Sequence, residues 1–189
     1  MNNFRTDTSL KLARAKRAAL AAGALLVSAA AFAGVFFPDG ATTLHFAFEG
    51  SPNGDRPIIR PPAFFQAADG FGFVDSPALT GSARGVTAPK YFRFDVVLPP
   101  GTYDVAVTLG GGETESVTSV KAENHQPVVP EVRVARGQNA VKTFTVTVKP
   151  GALKDTALET DGRLNLEFEG TNPSLMKLDI KPSAKPAAP

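Results

Sequence analysis

Apolar and polar residues alternate with a period of two along most of this chain. Leu44, Phe46 and Phe48 alternate with Thr43, His45, Ala47 and Glu49, and Phe92, Phe94, Val96 and Leu98 with Arg93, Asp95 and Val97. After the turn signal Pro99-Pro100-Gly101, Tyr103, Val105, Val107 and Leu109 alternate with Asp104, Ala106 and Thr108. The same rhythm returns in Phe144, Val146 and Val148, in Leu164, Leu166 and Phe168, and in Met176, Leu178 and Ile180. A strand sends successive side chains to opposite faces, so each series predicts a strand with one buried and one wet face. Phe71–Val74, Ser116–Ala122 and Val128–Ala135 are weaker candidates. The total is about nine strands, with no amphipathic helix among them. Short strands bounded by turn residues predict an all-β fold, an antiparallel β-sandwich of the jelly-roll kind. Half-wet alternation argues against a parallel sheet, whose strands are covered on both sides. The expected core comprises Phe46, Phe48, Phe92, Phe94, Val105, Val107, Phe144, Val146, Leu166, Phe168 and Leu178.

The ends of the chain read differently. Five basic residues and one acid fall within the first 17 positions, and the fifteen residues from Ala18 to Phe32 carry no charge. Ala31-Phe32-Ala33 then offers a small-x-small cleavage site. A basic segment, a short apolar segment and such a site predict a signal peptide over 1–33, leaving a module over 42–182 in a secreted or periplasmic location. The rival is an uncleaved anchor through residues 18–37, since 20 uncharged residues can span a bilayer; it too holds the module outside the cytoplasm. Residues 183–189, the end of KPSAKPAAP, read as a Pro/Ala-rich tail or linker. The N-terminal segment also distorts the charge. The chain has 20 Lys and Arg against 18 Asp and Glu; beyond residue 17 the balance is 15 against 17. A slightly acidic module is no nucleic-acid partner, and after cleavage nothing ties it to a membrane.

The chain is poor in the groups that carry chemistry. It has no Cys and two His, so thiolate metal sites and cysteine nucleophiles are excluded. No G-x-S-x-G elbow or Gly-Asp-Ser block accompanies His45 or His125, and both read as solvated surface imidazoles. Gly110-Gly111-Gly112-Glu113 lacks the Gly-Lys-Ser/Thr of a phosphate loop and reads as a turn. Asp69-Gly70 falls short of a calcium loop; a structural calcium on such a sandwich stays open as an alternative that no motif supports, and no cofactor or catalytic residue is expected. Sugar-binding faces favour Trp and Tyr; here Trp is absent and Tyr91 and Tyr103 are the only Tyr. The loop motif Ala63-Phe64-Phe65-Gln66 is either a staple to the core or a binding surface.

A longer pattern joins these segments: FAFEG from Phe46, GFGF from Gly70, and FRFDVVLPPGTYDVAVTLGG from Phe92. It continues with VKAENHQPVVPEVRV from Val120, KTFTVTVK from Lys142 and LNLEFEGTNPSLMKLDIKP from Leu164. The series resembles the galactose-binding-domain-like sandwich at the N-terminus of bacterial rhamnogalacturonan acetylesterases and related pectin- or agar-active enzymes. In those enzymes a hydrolase domain of the SGNH type follows. Its Gly-Asp-Ser and Asp-x-x-His blocks have no counterpart here, so the resemblance implies fold and context and carries over no catalytic residue.

Three functions fit. One is a secreted, non-catalytic accessory module that binds carbohydrate, such as pectin or rhamnogalacturonan, or docks to an esterase. The second is the N-terminal part of such an acetylesterase, its hydrolase domain missing or separately encoded. The third is a structural envelope protein. For the first, alternating strand directions place Gly50–Gly70, Pro99–Gly101, Glu123–Pro127 and Pro150–Gly162 at one end of the sandwich. That end would gather Arg56, Arg60, Phe65, Gln66, Asn124, His125 and Gln126, planar donors beside an aromatic ring that suit hydroxyl-rich or carboxylated sugars. The alternative for these seven is an ordinary cluster of polar loop residues.

Overall fold

The computed structural model describes residues 43–50, 58–66, 68–76, 78–123, 125–149 and 162–184, which fall in a compact unit spanning Gly40–Pro189. The signal segment, the 18–37 stretch, Arg56, Asn124 and residues 185–189 lie outside the described residues. Among the described residues twelve strands are formed: β1 (Leu44–Ala47), β2 (Phe71–Val74), β3 (Thr80–Ser82), β4 (Gly85–Thr87), β5 (Tyr91–Val97) and β6 (Gly101–Gly110), followed by β7 (Ser116–Ala122), β8 (Gln126–Val134), β9 (Asn139–Val148), β10 (Arg163–Thr171), β11 (Ser174–Leu175) and β12 (Lys177–Pro182). They make a four-stranded sheet, β1-β12-β6-β9, and a five-stranded sheet, β2-β5-β10-β7-β8, both antiparallel throughout. A small sheet, β11-β4-β3, lies beside them. The chain passes from one large sheet to the other between β5 and β6, β6 and β7, β8 and β9, and β9 and β10, so Pro99-Pro100-Gly101 turns a corner between sheets.

Phenylalanines lock the two sheets together. Phe46 of the first sheet and Phe48 just beyond β1 meet Phe94 of the second edge-on, with centroids 5.5 and 5.1 Å apart. Phe46 also meets Phe71 at 5.2 Å, and Phe48 meets Phe73 at 5.8 Å. Within the five-stranded sheet Phe92 stacks on its cross-strand partner Phe168 at 4.7 Å. Such pairs contribute roughly 0.5–1.5 kcal/mol beyond the area they bury.

Ten of the eleven expected core residues are buried. Phe144 is not: it is half-buried, because β9 is the edge of its sheet and pairs only with β6. A second correction concerns the wet face. Arg93 and Asp95 on β5, and Asn165 and Glu167 on β10, alternate with core residues as expected, yet all four are buried. These strands are central, flanked on both sides, and the 63–66 segment crosses over β2, the neighbour of β5. The small sheet was not foreseen, since Thr80-Gly81-Ser82 and Gly85-Val86-Thr87 are too short to show a period. It closes tightly: a Cβ on Gly85, whose φ is +116°, would sit 2.6 Å from the Leu175 carbonyl oxygen.

Candidate functional site

The outward face of the five-stranded sheet holds a buried polar network, built in rows by the strand register. One row runs Gly72, Asp95, Asn165 across β2, β5 and β10; the next runs Val74, Arg93, Glu167, Lys121, Pro127 across all five strands. Arg93 spans the two rows along its own strand, donating from Nε and Nη2 to the two oxygens of Asp95 at 2.7 and 3.0 Å. The two side chains are 8% and 1% exposed, which makes this a buried ion pair. Burial alone would lower the Arg93 pKa; the hydrogen bonds and charge of Asp95 outweigh it and raise the pKa above the usual guanidinium value. At the rim, Lys121 pairs with Glu169 at 2.8 Å, and that hydrogen bond raises its pKa. Tyr91 begins β5 on the same face. Burial, then the Glu167 charge, push its phenol up to about 12.

Two loops bring further groups to this face at one end. In the first, segment 63–66 bridges to β2 through Phe64–Phe73 and Gln66–Phe71. It crosses where β2 has Gly72: a Cβ there would lie 2.4 Å from the Phe65 Cα, so only glycine admits the strap. The Phe65 ring lies under the Arg163 guanidinium at 4.2 Å, and Phe64 is 58% exposed. The second loop is the β7–β8 turn, where Glu123 and His125 both take positive φ, 41° and 58°. That left-handed bend returns the imidazole over the sheet, where His125 Nδ1 meets Glu167 Oε2 at 2.7 Å, and it lets Glu123 accept the Asn165 N–H.

The seven residues singled out from the sequence divide accordingly. Phe65, Gln66, His125 and Gln126 sit at the end of the sandwich that also carries Gly70, Pro99–Gly101 and Gly162. Arg60 does not join them. It donates from Nη2 to the Gly50 carbonyl, and Gly50 in turn bonds to Ala83 at the opposite end; among the described residues the buried Arg60 Nε has no hydrogen-bond partner. Gly50 and Gly70, the two ends of that loop, therefore lie at opposite ends of the sandwich. Arg56 and Asn124 lie outside the described residues. The sequence reading missed Arg93, Asp95, Asn165, Glu167 and Arg163. Their signal was present as polar and charged residues in the outward phase of strands with no loop between them and the core series.

The described residues hold no cluster of three His, Cys, Asp or Glu side chains placed to bind a metal. They also include no helix long and apolar enough to cross a membrane. The arrangement can present hydrogen-bond donors, acceptors and aromatic rims to a polar ligand.

No known family profile and no curated protein matches the chain. Solved structures do. Protein YXIM from Bacillus subtilis aligns with 25% identity and a TM-score of 0.54 over 77% of this chain. This chain spans only 42% of that protein's length. A carbohydrate-binding module of family 35 from Paenibacillus barcinonensis aligns at 16% identity and a TM-score of 0.34, covering 63% of this chain and 98% of that one. The family 26 mannanase with a family 35 module from Podospora anserina aligns at 16% identity and 0.42, over 78% of this chain and 29% of that one. The class the fold defines is an all-β, antiparallel sandwich.

Proposed function

We propose that the chain is an exported, non-catalytic accessory module that binds polysaccharide at the end of the five-stranded sheet bearing Phe65, Gln66, His125 and Gln126. The observation that carries the reading is the buried Arg93–Asp95 pair with Glu167 beneath His125. A charge network inside a sheet face costs desolvation, and well-placed partners only just offset it. Such networks hold polar side chains rigidly at a rim, and a preorganised rim loses little entropy on binding. Arg163 and His125 suit hydroxyl-rich or carboxylated sugars, with pectin and rhamnogalacturonan the first substrates to try. The test is titration with rhamnogalacturonan oligosaccharides, followed by backbone amide shifts. Shifts around Phe65, His125 and Arg163 support the site. No shifts at millimolar ligand, or shifts confined to the loops near Arg84, Gly111 and Asn172, overturn it.

A second reading is favoured by one comparison: the match to a longer Bacillus protein of which this chain spans 42%. Here the module is the N-terminal part of an esterase whose hydrolase domain is missing or separately encoded. A downstream coding frame opening on a Gly-Asp-Ser block would support this reading, and its absence would leave the accessory module alone.

A further inference from the structure

The outward face of the other sheet carries a groove of about 520 Å³, lined by residues of all four strands. Register explains its shape. His45, Asp179, Ala106 and Thr143 form one cross-strand row, and Lys181, Asp104 and Thr145 form the next. Ala106 is the smallest outward side chain of the central strand β6, so the sheet dips at the middle of the first row. Walls of hydroxyl, carboxylate, imidazole and ammonium groups rise around an alanine methyl floor.

The charges on this face select a ligand. Asp179 engages His45 through Oδ1 at 2.5 Å, and Asp104 accepts from the Thr145 hydroxyl at 3.0 Å through Oδ1. Each carboxylate keeps a second oxygen, and an ionised carboxylate only accepts hydrogen bonds. The two stand diagonally across neighbouring strands, about 7–8 Å apart at the backbone. Lys181 makes no ion pair among the described residues. A chain of uronates would bring anions against two carboxylates. A neutral, hydroxyl-rich chain brings donors to both, an acceptor to Lys181, and a C–H face to Ala106.

We infer that this groove is a second saccharide site, distinct from the loop-bearing end and selective for neutral over acidic sugar chains. The probes are oligosaccharides of galactan, arabinan and mannan, with polygalacturonate oligomers as the acidic counterpart. At least one neutral probe is expected to shift amides of Asp104–Ala106, Thr143–Thr145 and Asp179–Lys181. Polygalacturonate leaves these residues unmoved. Ala106→Arg fills the dip and weakens the neutral ligand by about tenfold or more. Thr143→Arg, on the exposed edge strand, does the same and carries the test should Ala106→Arg fail to fold. Phe65→Ala leaves these shifts intact, which separates this site from the loop end. Silence of all three neutral probes, a response to polygalacturonate at these residues, or full affinity in the folded arginine variants overturns the inference.

Discussion

Replacing Asp95 with alanine tests whether the outward face of β5 is buried or wet, since the two cases differ severalfold in cost. The substitution deletes both acceptors of Arg93 and leaves a guanidinium, 8% exposed, without its main counter-charge. Removing one partner of a buried pair costs about 3–5 kcal/mol, whereas an exposed pair contributes about 0–1 kcal/mol. Glu167 is the cross-strand neighbour of Arg93 and takes up part of the orphaned charge, so the low end, about 3 kcal/mol, is expected.

Urea unfolding reads this directly. With a slope of about 1.5–2 kcal/mol per molar, the midpoint falls by roughly 1.5–2 M. Thermal unfolding falls by roughly 10 °C for a domain of this size. The double variant Arg93→Met with Asp95→Leu removes both charges and keeps comparable volume, so it unfolds later than Asp95→Ala alone. A loss below about 1 kcal/mol for Asp95→Ala, or a double variant less stable than the single, would refute the burial of this pair.

Alkaline titration offers an independent check, because the chain has two tyrosines and burial raises both phenols, Tyr91 to about 12. The native protein keeps its tyrosinate absorbance low at pH 10, where the urea-unfolded chain is about half ionised. The neutral phenols bind protons the unfolded chain has released, so their contribution to stability is intact below pH 10 and is lost as pH rises towards 12. Coincident native and unfolded titrations would contradict it. Gly72→Ala drives a methyl to within 2.5 Å of the Phe65 backbone. It displaces the strap and is expected to destabilise by about 1–3 kcal/mol, with amide shifts at Phe65 and Arg163; a silent substitution would show that the strap does not rest there.

Strand identity was legible because it depends on one local property, alternation. The buried sides of β1, β5, β6, β10 and β12 follow from side-chain parity alone. Burial of the opposite side is not local. Arg93 and Asp95 read as wet because parity says only which side a residue faces, and nothing about what covers that side. What covers it depends on strand order, which puts β5 and β10 inside the five-stranded sheet, and on a strap that crosses at Gly72. The same limit explains Phe144, whose parity is right but whose strand is an edge.

The loop cluster was half legible for a related reason. Counting strand directions works where a connection joins adjacent elements, and it brought Phe65, Gln66, His125 and Gln126 to one end. It fails for a long connection whose two ends lie at opposite ends of the sandwich, as those of the loop holding Arg60 do. Gly50 hydrogen-bonds to Ala83 at one end while Gly70 accepts from Val97 at the other. The binding hypothesis therefore rests on parity more than on loops. Alternation that buries Phe92, Phe94, Leu166 and Phe168 must send Arg93, Asp95, Asn165 and Glu167 together to the opposite face. Four polar side chains on adjacent central strands must then find partners there, and the partners they find include His125 of the loop cluster. The core pattern and the candidate site are two sides of the same two strands. A substitution that slips the β5–β10 register by one residue would lose both at once.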